Sequence, residues 1–79
     1  MAEALLKVIV ISPREVIFEG HAASVRLPGE KGVFEIQPNH KRLMTRLTKG
    51  PLGIDGHFLM IRRGVVKVGL NEVSIIVEE

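Results

Sequence analysis

The 79-residue sequence contains no cysteine, no tryptophan and no tyrosine, and only three phenylalanines. Without cysteine there is no disulfide framework and no thiolate metal site, a composition that fits a reducing compartment. With aromatics at 4% and apolar residues at 46%, the core has to be built from Val, Ile and Leu, side chains that suit pleated sheet better than helix. Phe18, Phe34 and Phe58 all stand at core-like positions, so a single-stranded nucleic acid would find no stacking platform. No apolar run approaches the ~18 residues of a membrane span, and Met1-Ala2-Glu3-Ala4 lacks the basic start and long apolar stretch of a targeting signal. Catalytic motifs are missing too. Ser12, Ser24 and Ser74 have no G-x-S-x-G context, and the glycines match neither a P-loop nor a G-x-G-x-x-G that opens a helix. His21, His40 and His57 form no H-x-x-x-H pair, so surface histidines are the simpler reading than zinc ligands. No catalytic, cofactor-binding or metal residue is expected.

What is present reads as one all-β domain spanning residues 1–79. Leu5 to Ile11 is an apolar run broken only by Lys7, ended by Ser12-Pro13-Arg14. Val16-Ile17-Phe18 makes a second strand, Gly20 permits a bend, and Ala23, Val25 and Leu27 then alternate with Ser24 and Arg26. Turn and strand signals are densest from Leu27 to His40. There Pro28-Gly29 sets a turn that Gly32 closes, Val33, Phe34 and Ile36 form a strand with Glu35 on the wetter face, and Pro38 stops it. Phe34 and Ile36 are expected to be mostly buried, and Asn39 to Arg42 to lie on the surface. Leu43 to Thr48 fits both periods, but its threonines and its all-β surroundings favour strand over helix. Asp55-Gly56 is a type I′ hairpin signal linking Leu52–Ile54 to Phe58–Ile61. Gly64 and Gly69 to Glu72 punctuate the last strands, Val65 to Val68 and Val73 to Val77. Eight or nine short strands between Gly- and Pro-bearing turns make a β-sandwich or flattened barrel the economical architecture.

Net charge is only +2, with acidic and basic residues interspersed. One run stands above that background: Lys41, Arg42, Arg46 and Lys49, with no carboxylate among them. It suits either an anionic or polar partner or a solvated edge that resists aggregation. The nucleic-acid version, a small basic β-domain binding through Lys41 to Lys49, is the alternative functional reading.

Four segments in order, I-S-P-R-E-V-I-F-E-G (11–20), V-R-L-P-G-E-K-G-V-F-E-I-Q-P-N-H (25–40), L-M-T-R-L-T-K-G (43–50) and the closing V-V-K-V-G-L-N-E-V-S-I-I-V-E, resemble the epsilon subunit of F-type ATP synthases. The likeness runs from Leu6 to Glu78. It implies a ten-stranded sandwich of two five-stranded sheets and a non-catalytic rotor component. Such a subunit joins the gamma subunit to the polar loops of the membrane c-ring, at the cytoplasmic face of a bacterial inner membrane, without cofactor or nucleic acid. An apolar or mixed sheet face would grip gamma. The ring-facing end would be formed by Glu30, Lys31, Gly32 and Val33 together with His40, Lys41 and Arg42 in the Pro38 to Leu43 segment. At that tip the family's Gly-His-Ala-Pro becomes Asn39-His40-Lys41-Arg42, two cations in place of a small apolar pair. Family members usually continue into a helical hairpin that restrains ATP hydrolysis, and a chain ending at Glu79 is expected to lack it.

Overall fold

The computed structural model describes residues 5–79, which form nine strands and no helix. In chain order these are β1 (Leu6–Ile11), β2 (Val16–Ala22), β3 (Val25–Gly29), β4 (Gly32–Ile36), β5 (Leu43–Leu47), β6 (Gly50–Ile54), β7 (His57–Ile61), β8 (Arg63–Val68) and β9 (Glu72–Glu78). Hydrogen bonding runs continuously in the order β2-β1-β9-β8-β5-β3-β6-β7, with β4 on the other side of β3. All neighbours are antiparallel except β1 and β9, which bring the two ends of the described chain together in parallel. Among the described residues the all-β expectation holds and the arrangement is consistent with a β-sandwich, with nine strands where ten in two sheets were expected. Nine strands make one curled sheet. Its fold line is the corner where β3 and β5 share a single pair, Gly29 with Leu47. There the Thr48 amide donates to the Pro28 carbonyl at 2.8 Å and its hydroxyl to the same oxygen at 3.2 Å. Strands β2, β1, β9, β8 and β5 lie before this corner, and β4, β3, β6 and β7 after it.

The core is one aliphatic cluster to which every strand contributes: Leu6, Val8, Val10, Ala22, Val25, Leu27, Ile36, Leu47, Leu52, Ile61, Val66, Val68, Val73, Ile75 and Val77. No polar or charged side chain is buried among the described residues. Strict alternation produces this, since β1 buries 6, 8 and 10 while β9 buries 73, 75 and 77. The ambiguous Leu43 to Thr48 segment is strand, because its alternate residues reach the core side only with period two.

Local geometry revises several expectations. The turn expected at Pro28-Gly29 is at Glu30-Lys31: both earlier residues stay in β3, with Gly29 opposite Gly32 at φ 121°. The bend expected at Gly20 falls at Ala23-Ser24, because β2 continues in register to Ala22. A bulge opposite Val10 and Ile11 leaves Ile17 without a partner, so Ile17 and Phe18 both pack against the core. Ile36 is fully buried as expected, whereas Phe34 is only half-buried and Phe58 is 62% exposed. A physical reason is shared by the three aromatics, each of which lies over a glycine rather than filling the interior. A Cβ added at Gly20, Gly29 or Gly53 would meet the ring of Phe18, Phe34 or Phe58 at 3.2, 2.8 and 2.6 Å respectively.

Candidate functional site

The tip expected to meet a partner is built from two connections. Glu30 and Lys31 form the two-residue turn of the β3–β4 hairpin, and Gly32 and Val33 begin β4. Because β5 meets β3 only at Gly29, the hairpin end projects past the corner along β5. A shallow hollow results, lined by Glu30, Lys31, Val33, Phe34, Leu43 and Thr45. Val33 stands at its rim, exposed. No hydrogen bond or ion pair engages the Glu30 or Lys31 side chain among the described residues.

His40, Lys41 and Arg42 lead into the same N-terminal end of β5 but do not line that hollow. Their segment is braced from the opposite direction. Asn39, in the left-handed region at φ 69°, donates its amide to Asn71 Oδ1 at 2.7 Å, and the Asn71 carbonyl accepts from Lys7 at 2.8 Å. His40 is half-buried rather than fully on the surface, with its Nδ1 2.7 Å from the Lys41 carbonyl. Lys41 and Arg42 are exposed. The end of the molecule therefore carries two adjoining polar features, one anchored by asparagines and one unanchored.

The basic run does not assemble into a patch. Arg42 lies just before β5 and Arg46 near its far end, and a strand rises about 3.3 Å per residue, so β5 carries the two apart. Arg46 points to the outer face opposite Val65, and Lys49 sits at the far bend. A continuous cationic track through all four residues is not built.

A second surface was not singled out from the sequence. On the outer face of the layer before the corner, Val16, Ile11, Ile76 and Val65 occupy consecutive positions across β2, β1, β9 and β8, with Arg46 next on β5. Val16 and Ile76 are each 55% exposed, and Val65 and Met44 on the same face are exposed too. An outer sheet face ought to be polar when it meets water, and a contiguous apolar row signals a contact surface. The signal was in the sequence: Ile9, Ile11 and Ile76 place large apolar side chains on both parities of strands that otherwise alternate. Two residues along β8 and β9 from Val65 and Ile76, the Arg63 guanidinium hydrogen-bonds the Glu78 carboxylate and attracts it electrostatically, which holds Glu78 below the usual carboxylate range.

The family model of the ATP synthase delta/epsilon chain β-sandwich domain matches residues 5–79. The chain belongs to that family. The ATP synthase epsilon chain of Sulfurimonas denitrificans is 37% identical over 78 residues, a match covering 92% of this chain. Two solved assemblies contain a chain of the same fold. The Tetrahymena thermophila mitochondrial ATP synthase central stalk and c-ring superposes with a TM-score of 0.81 at 16% identity, over 94% of this chain and 63% of that one. The Euglena gracilis mitochondrial ATP synthase, comprising OSCP, F1 and c-ring, gives 0.87 at 19% identity, over 98% and 52%. At these identities the two assemblies show the fold, while membership of the delta/epsilon family rests on the family model and the bacterial relative. The epsilon-like resemblance of the four segments is thereby established. The chain spans about 60% of the length of its curated relative.

Proposed function

We propose that this chain acts as the epsilon-type subunit of an F-type ATP synthase rotor, a non-catalytic block linking gamma to the c-ring at the cytoplasmic face of a bacterial inner membrane. The observation that carries this reading is the apolar row Val16, Ile11, Ile76 and Val65, half-buried at Ile11 and exposed at the other three, which a free-standing domain would have no reason to present to water. It fits the gamma-gripping face, since burying apolar area on a pre-formed sheet costs little ordering entropy. The polar end, with Glu30, Lys31, Gly32 and Val33 beside His40, Lys41 and Arg42, fits the ring-facing end. Face and end are separate surfaces, as a coupling element that must resist torque between two partners requires.

Lys41 and Arg42 are solvated, so pairing with ring-loop carboxylates or carbonyls would contribute about 1 kcal/mol each, more to encounter rate than to final affinity. The test is ATP-driven proton pumping in rebuilt vesicles together with a gamma pull-down. Ile76→Glu is expected to abolish gamma capture. Lys41→Ala with Arg42→Ala is expected to leave gamma capture intact and to weaken attachment to the ring. Full pumping by the double variant at raised ionic strength would remove those two cations from the ring contact, and normal gamma capture by Ile76→Glu would overturn the assignment of the face.

A further inference from the structure

Beside the apolar row, the outer face of the layer before the corner carries two further rows, and strand register fixes what stands in each. In the middle row Glu19, Ile9, Ser74 and Lys67 are consecutive across β2, β1, β9 and β8. In the next, Lys7 on β1 stands beside Glu72 on β9. All four charged residues are exposed, and among the described residues none of their side chains enters a hydrogen bond or an ion pair. Glu19 and Lys67 are separated by three strand spacings, about 14 Å. Within one copy they are too far apart to neutralise each other.

The order of these residues is self-complementary under one rotation. A second copy turned over about an axis that runs along the strands, midway between β1 and β9, exchanges β2 with β8 and β1 with β9. Glu19 then faces Lys67, Lys7 faces Glu72, Val16 faces Val65 and Ile11 faces Ile76, and the symmetry makes each contact twice. Ile9 faces Ser74, a large side chain against a small one. Neighbouring axes fail. Moved onto β9, the axis sets Glu72 against Glu72 and Ile9 against Lys67; moved onto β1, it sets Lys7 against Lys7. An axis across the strands at the middle row lays Lys7 and Glu72 on Ile11 and Ile76.

We propose that this face is where two free copies of the chain pair, sheet against sheet, about the axis between β1 and β9. The strands of the two copies run nearly aligned, as in the packing of two sheets in a sandwich, and the interface is isologous, so it closes as a dimer. Apolar side chains that stand in water in one copy, Val16 and Ile76 at 55% exposure and Val65 at 42%, lose that exposure, while the four unspent charges become four opposite-charge pairs. Four strands by three rows is a small face, so the association is weak and reversible. It covers the same row assigned above to gamma. The dimer therefore belongs to the free chain, and its copies part when gamma takes the row.

Sedimentation equilibrium of the chain alone, up to its solubility limit, tests this, with the wild type expected to show a reversible monomer–dimer equilibrium. Lys67→Glu and Glu19→Lys change exposed side chains and are expected to leave the fold intact, which circular dichroism checks. Each by itself brings like charges together twice and should raise the dissociation constant about tenfold or more. An equimolar mixture of the two variants should dimerise again, because both facing pairs at positions 19 and 67 are then opposite in charge. The variant carrying both changes should recover as well. Lys31→Glu, at the hairpin tip, should dimerise like the wild type. A wild type that stays monomeric throughout, a dimer indifferent to Lys67→Glu, or a mixture that associates no better than either variant alone would each overturn the proposal. Gamma takes no part in these measurements, so a missing dimer and a failed gamma pull-down are separate outcomes.

Discussion

The β3–β4 and β6–β7 hairpins are the same object built twice. Each has five residues, a two-residue turn and five residues, and position by position the two share one sequence of buried, half-buried and exposed sites. Their first strands pair antiparallel through Val25 with Ile54 and Arg26 with Gly53. Yet their tips have opposite fates. At the β6–β7 tip, Asp55 at φ 47° and Gly56 at φ 86° make the expected type I′ turn, and the Asp55 carboxylate then accepts hydrogen bonds from the Ala23 and Ser24 amides at 3.0 to 3.1 Å. At the β3–β4 tip, Glu30 and Lys31 engage nothing among the described residues. The lesson is that one backbone device serves two ends: a structural tip is recognised by a carboxylate spent on the chain's own amides, and a contact tip by side chains left unspent.

If the hairpins are equivalent as scaffolds, their matched core positions should cost the same to hollow out. Ile36 and Ile61 end β4 and β7 and are buried to 0% and 2% exposure. Ile36→Ala and Ile61→Ala should each destabilise by about 2–5 kcal/mol, a large share of a small domain's stability. Denaturation midpoints that differ widely between them would break the equivalence. Phe34→Ala should cost less than a buried phenylalanine would, because its ring is half outside and packs on Gly29.

The tips should separate where the cores agree. Asp55→Ala removes the acceptor for two backbone amides and should cost about 1.5–3 kcal/mol, the range for hydrogen bonds to a charged group, with Asp55→Asn recovering part of it. Glu30→Ala at the opposite tip should stay within about 0.5 kcal/mol in either direction. Equal losses at both would mean that Glu30 is also engaged, and would weaken its reading as a contact residue. Backbone strain gives a smaller, shared effect. Gly56→Ala and Gly32→Ala both force an L-residue to positive φ and should each cost about 1–2 kcal/mol, although nothing blocks the added methyl.

The smallest effect lies outside both hairpins. Arg63 lowers the folded-state pKa of Glu78 through their hydrogen bond first and their attraction second. A carboxylate depressed in the folded state contributes its stability above its unfolded pKa and loses it as pH falls through the folded value. Acid unfolding of Arg63→Ala should therefore show a slightly shallower pH dependence than the wild type in the carboxylate range. Raised salt should erase the difference, since the pair is exposed.

Much of this was legible in the residues themselves, because period-two alternation and turn chemistry are local. Asp55-Gly56 predicts its hairpin from φ preferences alone, and the alternation of β9 names Val73, Ile75 and Val77 as core before any partner strand is known. The four ordered segments carried the family. What the residues could not decide is where non-local pairing puts each surface. Pro28 and Gly29 look like a turn until β3 is seen to extend through them to reach Leu47 and Thr48. Four cations within nine residues look like a patch until the extended strand β5 sets Lys41 and Arg42 before one of its ends, Arg46 within it and Lys49 beyond the other. The apolar row from Val16 to Val65 exists only once two strand pairs from opposite ends of the described chain, β1 with β2 and β8 with β9, fall into register. Sequence determines conformation where the energy is local, in φ, in side-chain period and in Pro and Gly geometry. Which side chains stand together is settled by register between strands, a sum of many weak contacts that becomes definite only when the sheet curls and its core closes.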